Sequence, residues 1–132
     1  TINEAEARQF CGTHSVIRAA RQILALGPRA VVIKRAEYGA LLLTKDRTFW
    51  TPAYPLEEVR DPTGAGDAFA GGLLGHLAQS GTVDDRTLCR AVLHGTVCAS
   101  FAVEQFSVDG IEQADQKGVE ARVRELQTLV SA

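Results

Sequence analysis

Asp61-Pro62-Thr63-Gly64-Ala65-Gly66-Asp67 places a turn, two glycines and a carboxylate at the mouth of an apolar helical run. Pro62 fixes its own φ and, following Asp61, marks a turn, while Gly64 and Gly66 let the backbone approach a ligand with no side chain in the way. Between Ala65 and Ala78 the only ionisable residues are Asp67 and His76. Such a run predicts a buried helix over residues 65–79 with its N-terminus fixed in place. Unpaired first-turn amides and the helix dipole favour a phosphate or a developing oxyanion there, and Asp67 falls within that turn. A plainer alternative stays open at this point: an aspartate in a first turn also complements the dipole by itself, and Thr63 suits an N-cap. Gly71, Gly72 and Gly75 weigh against it, because each costs a helix about 1 kcal/mol relative to alanine unless something packs very closely.

Outward from this stretch the chain reads as alternating elements. Residues 3–10 form a short helix and residues 14–26 a longer one, with apolar positions at Val16, Ile17, Ala20, Ile23, Leu24 and Leu26 and a stop at Gly27-Pro28. Residues 30–33 read as a buried strand. The runs 40–43 and 47–51 flank Thr44-Lys45-Asp46 and predict a hairpin or close antiparallel pair. Two further helices are expected over residues 84–102 and 112–130, the second amphipathic. The pattern is that of an α/β fold with a mainly parallel sheet and an antiparallel edge.

The full string from Asp61 to Gly72, DPTGAGDAFAGG, resembles the signature of the ribokinase-like (PfkB) family of carbohydrate and nucleoside kinases, with Pro62 where the family usually has Thr. The resemblance runs from Asn3 to about Ser107 and implies the C-terminal part of a three-layer αβα sandwich. It implies that Asp67 is the catalytic base and that the backbone of Gly64, Ala65 and Gly66 is the anion hole. Asn3-x-x-Glu6 has the spacing of a capping box, and it also matches the family's Asn-x-x-Glu motif, which helps hold magnesium and phosphate. Asn3, Glu6 and Asp61 are therefore the candidate metal residues, and a magnesium ion that keeps its waters needs only one carboxylate besides the nucleotide's phosphates.

The segment from Val31 to Leu41 resembles the family's strand-turn-strand along the nucleotide site. Here Lys34, Arg35 and Ala36 replace the usual Thr-x-Gly, and Gly39 is retained. Lys34 is either a cation for a phosphate or a solvated strand end. His94 lies among Ala91, Val92, Leu93 and Val97, where a histidine is commonly a packing residue, yet the resemblance sets its helix along the adenine pocket. Lys34, Gly39, Thr63, Gly64, Gly66 and His94 are the nucleotide-contacting candidates. Asp61 and Thr63 are also candidates for the monovalent-cation loop, for example for potassium, that some members have.

The chain has 132 residues, 45% hydrophobic and 23% charged, with a net charge of −2. That suits one soluble domain, with no basic surface for nucleic acid and no run long enough to span a membrane. Cys11, Cys89 and Cys98 are an odd set without Cys-x-x-Cys spacing, so a reducing cytoplasm fits better than a disulfide framework or a zinc site. No methionine occurs, even at position 1, which reads as the nucleotide-side portion of a longer kinase whose N-terminal half is absent. Alone, such a portion is expected to bind ATP-magnesium weakly, to phosphorylate nothing and to leave the 30–33 strand with an unpaired edge. Homodimerisation of the full-length protein stays open.

Competing phosphate motifs fail. Gly-x-x-x-x-Gly-Lys-Ser/Thr is missing, Gly64-x-Gly66 is followed three residues on by Phe69 rather than glycine, and there is no serine nucleophile elbow. The expected activity is transfer of the γ-phosphate of ATP to a hydroxyl of a sugar or nucleoside. A nucleotide-binding module without catalysis, or an inactive fragment, is the alternative.

Overall fold

The computed structural model describes residues 1–104 and 115–131. By its internal contacts the chain divides into two units, Thr1–Pro52 and Ala53–Ala132.

In the first unit, β1 (Ile2–Asn3) leads directly into α1 (Glu4–Cys11), followed by α2 (Val16–Ala25), β2 (Ala30–Lys34), a single 3-10 turn (Ala36–Tyr38), β3 (Ala40–Thr44) and β4 (Thr48–Thr51). The sheet order is β1-β2-β3-β4. β1 runs parallel to β2 through Ile2↔Ile33 and Asn3↔Lys34, and the two later pairings are antiparallel. The α/β mixture is therefore as read from the sequence, with β3 and β4 as the antiparallel hairpin.

Strand alternation decides the core. Val31 and Ile33 share a face with Leu41 and Leu43, and onto that face pack Ala7 of α1 and Val16, Ala19 and Ala20 of α2. Small residues on both helices let the backbones sit close to the sheet. Val32 and Leu42, on the opposite face, are buried as well, which is why both strands read as continuous apolar runs rather than alternating ones. β2 is paired along its full length with β3, and at Ile33 and Lys34 also with β1. The expected unpaired edge is thus confined to residues 30–32, which have no partner on that side among the described residues.

The second unit holds three helices: α3 (Ala65–Ser80), α4 (Asp85–Glu104) and α5 (Gln116–Val130). Residues 112–114 of the expected last helix, like Ser107, lie outside the described residues. α3 and α4 pack through glycine contacts. A Cβ on Gly72 would lie 2.7 Å from Cys98 Sγ and 2.8 Å from the His94 carbonyl oxygen, and one on Gly95 would lie 2.8 Å from the Phe69 carbonyl oxygen. Gly71 and Gly75, in contrast, face open space. The expectation that all three α3 glycines serve close packing is corrected: only Gly72 does, because a Cβ on either of the other two would meet nothing within 4 Å.

Arg122 fastens α5 to α4. Its guanidinium lies over the rings of Phe101, at 3.8 Å, and Tyr54, at 4.8 Å, donates to Ser100 Oγ at 2.9 Å and pairs with Glu104. A planar guanidinium can stack on aromatic faces while its edge donates, which an ammonium cannot do.

Candidate nucleotide and phosphate site

The turn before α3 is built as its sequence requires. Thr63 N–H donates to Asp61 Oδ1 at 2.9 Å, closing an Asx turn, and this bond holds the Asp61 carboxyl below its usual pKa. Ala65 N–H then donates to the Pro62 carbonyl at 3.2 Å. Gly64 is the N-cap of α3, at φ 84° in the left-handed region, and no side chain among the described residues caps the helix. Thr63 is therefore not the cap: the cap position falls to Gly64, whose left-handed backbone suits glycine.

An uncapped N-terminus leaves amides free. Those of Gly64, Gly66 and Asp67 donate to no acceptor among the described residues, whereas that of Ala65 is engaged by Pro62. The candidate anion hole thus has Gly64 and Gly66 available and Ala65 tied into the turn. Asp67 lies in the first turn of α3 with its side chain exposed. A bare N-terminus of this kind attracts an anion through its N–H groups and its dipole.

His94 lies at a different place along α3. Its ring stacks on that of His76, with centroids 4.1 Å apart and planes inclined by 24°, and its Nε2 is 3.6 Å from Glu120 Oε1. Burial first, and the neighbouring His76 second, push the His94 pKa down, opposed by Glu120. The pair lines a groove of about 310 Å³ with Gly71, Gly75, Gln79 and Val119. His76 is nine residues beyond Asp67, or about 13 Å along the helix axis. The sequence reading singled out His94 and passed over His76, because the two stand on separate helices and carry no spacing signal.

In the first unit, Asn3 and Glu6 form the full capping box of α1: Glu6 N–H donates to Asn3 Oδ1 at 2.8 Å, and Asn3 N–H donates to Glu6 Oε2 at 3.1 Å. Both are exposed and oxygen-bearing, so Glu6 keeps an oxygen for a hard cation. No group of three or more His, Cys, Asp or Glu residues is placed to hold a metal among the described residues. A lone exposed carboxylate such as that of Glu6 suits magnesium, which is commonly held by one or two carboxylates together with substrate phosphates, better than zinc.

Lys34 ends β2, half-buried and in register with Asn3 and Ala40. Beside it, Arg35 is clamped: Nη2 donates to Glu4 Oε1 at 3.3 Å, and the guanidinium lies over Trp50 at 4.7 Å and Tyr38 at 5.6 Å. Its Nε is only 3.2 Å from Glu4 Oε2 but misaligned, so the contact is an ion pair without a second hydrogen bond. Gly39 adopts φ 88°, ψ −137°, a conformation open to glycine, and Ala36 adopts φ 49°. A left-handed residue is thus kept at position 36 even with a Cβ present.

A glycine-capped helix start with an aspartate in its first turn is the kind of helix terminus that suits an anion, and the sheet unit is of the α/β kind. The profile of the pfkB family of carbohydrate kinases matches residues 1–114, and the chain belongs to that family. It is 34% identical over 119 residues to the deoxyribokinase of Salmonella typhi, an alignment that covers 86% of this chain and 38% of that protein. Aminoimidazole riboside kinase from Salmonella enterica, solved with aminoimidazole riboside and an ATP analog, is 31% identical with a TM-score of 0.76, covering 92% of this chain and 40% of that one. Fructokinase from Vibrio cholerae O395, solved with fructose, ADP and calcium, is 28% identical with a TM-score of 0.78, covering 92% and 39%. The chain therefore spans about two fifths of the length of these relatives. No helix among the described residues is long and apolar enough to cross a membrane.

Proposed function

We propose that this chain is the nucleotide-side part of an ATP-dependent phosphotransferase acting on a hydroxyl of a sugar or nucleoside. The observation that carries the reading is the uncapped start of α3, with the free amides of Gly64, Gly66 and Asp67 beside the Asp67 carboxylate. Relatives that hold a riboside with an ATP analog, or fructose with ADP, support the substrate class.

In this mechanism Asp67 accepts the proton of the substrate hydroxyl as its oxygen attacks the γ-phosphorus. The Gly64, Gly66 and Asp67 amides hold the charge that develops on the transferring group, aligned before the reaction and so free of reorganisation. Magnesium, when bound, would neutralise phosphate charge; Glu6 and Asn3 in the first unit and, separately, Asp61 in the second are candidate contacts for it through their oxygens. The groove of His76 and His94, about 13 Å along α3 from the carboxylate, suits the base end of a nucleotide whose phosphates reach the helix start. Lys34, Gly39 and Thr63 remain the other candidate nucleotide contacts.

The test is Asp67→Asn in the full-length protein. Turnover with the preferred sugar or nucleoside is expected to fall by roughly 10²–10⁴-fold, with ATP affinity by calorimetry nearly unchanged. Unchanged turnover would remove Asp67 from the mechanism.

A further inference from the structure

Three helices meet at the His76–His94 stack: His76 comes from α3, His94 from α4, and Glu120, 3.6 Å from His94 Nε2, from α5. Two imidazoles face to face at 4.1 Å cannot both be charged without strong repulsion, so the neighbouring His76 disfavours a proton on His94. The charged and titratable groups known to face His94 are His76 on α3, Arg90 on its own helix and Glu120 on α5. The first two oppose its protonation. Glu120 favours it, but its side chain is 44% exposed while that of His94 is 12% exposed, so solvent weakens that attraction and burial remains the largest effect.

We propose that the His76–His94 stack is an acid-released fastening of α5 onto α3 and α4. With both rings neutral they pack face to face, and the wall formed by Gln116, Val119 and Glu120 stays against the groove. A proton entering His94 sets a cation against His76 and Arg90 in a half-buried position. The strain is relieved when α5 lifts away and the imidazole is hydrated. The sign follows from the direction of the His94 shift. A histidine held below its free value in the packed state contributes stability that is complete above about pH 6.5, the free value, and is lost as pH falls from there toward the packed-state value. Each pH unit of that depression corresponds to about a tenfold change in the opening equilibrium. The fastening operates whether or not the groove takes a nucleotide base.

Hydrogen exchange of residues 116–130, corrected for intrinsic rates, tests it in the intact chain between pH 7.5 and 5. Protection of α5 is expected to fall on acidification by more than that of the sheet amides in residues 30–44. His76→Gln removes the repulsion and is expected to shrink the acid response. Glu120→Gln removes the attraction and is expected to enlarge it. These opposite changes are what simple loss of packing would not produce. Titration of the wild-type imidazoles by NMR needs no variant to fold, and His94 is expected to titrate below a free histidine. An ordinary His94 titration, or variants that lower α5 protection equally at both pH values, would overturn the proposal.

Discussion

Gly72 and Cys98 touch where α3 crosses α4: a Cβ on the glycine would lie 2.7 Å from the cysteine sulfur and 2.9 Å from its Cβ. The contact fixes how near the two helices come, and with them how α3 presents its N-terminus. Gly72→Ala is expected to destabilise by about 1–3 kcal/mol, since the His94 carbonyl also lies in the way and backbone cannot rotate aside. Gly71→Ala, facing open space, is expected to stabilise by up to about 1 kcal/mol through helix propensity. Urea denaturation of the two variants decides it; equal effects would mean that close packing is not what holds Gly72.

Ala36 carries a left-handed backbone at φ 49° without the freedom of glycine. Relief of about 1–2 kcal/mol of αL strain, less about 0.4–1 kcal/mol of extra unfolded-state entropy, gives a net stabilisation of up to about 1.6 kcal/mol for Ala36→Gly. Gly39→Ala, at φ 88°, is expected to destabilise by about 1–3 kcal/mol. Thermal melts of both variants check the pair, and a lower melting temperature for Ala36→Gly would show that the Cβ makes a contact outweighing the strain.

Asn3 and Glu6 bond reciprocally at the start of α1, so Asn3→Ala is expected to lose about 1 kcal/mol as an N-cap substitution. Glu6→Gln tests the metal reading in the full-length protein. The magnesium concentration for half-maximal activity is expected to rise, with the melting temperature nearly unchanged because glutamine also serves in a capping box. Loss of stability with unaltered magnesium dependence would leave the residue a cap alone.

Asp84 accepts the Thr87 amide at 2.7 Å, and that bond lowers its pKa. A carboxyl held below its free value contributes stability above about pH 3.9, the free value, that is lost as pH falls through the lowered folded value. Asp84→Ala is therefore expected to be less stable than wild type at pH 7. The difference should close under acid titration below about pH 4. A difference that persists at pH 2 would point to packing rather than the charged cap.

The elements were largely legible in the sequence because each is written in local chemistry. Pro62 and the glycines announced the turn into α3, the apolar run after Asp67 announced the helix, and Asn3-x-x-Glu6 announced the capping box before any contact was known. Tertiary structure decided what depends on which backbone meets which. It assigned the cap to Gly64 rather than Thr63, and it engaged the Ala65 amide with Pro62 while leaving its neighbours free. It separated Gly72 from Gly71 and Gly75, which are indistinguishable as residues, because a Cβ would meet a neighbour at only one of the three. It also joined His76 to His94 across two helices. Turn and helix signals reside in a few adjacent residues, whereas close approach and ring stacking arise from distances between residues far apart in the chain, which no local pattern encodes.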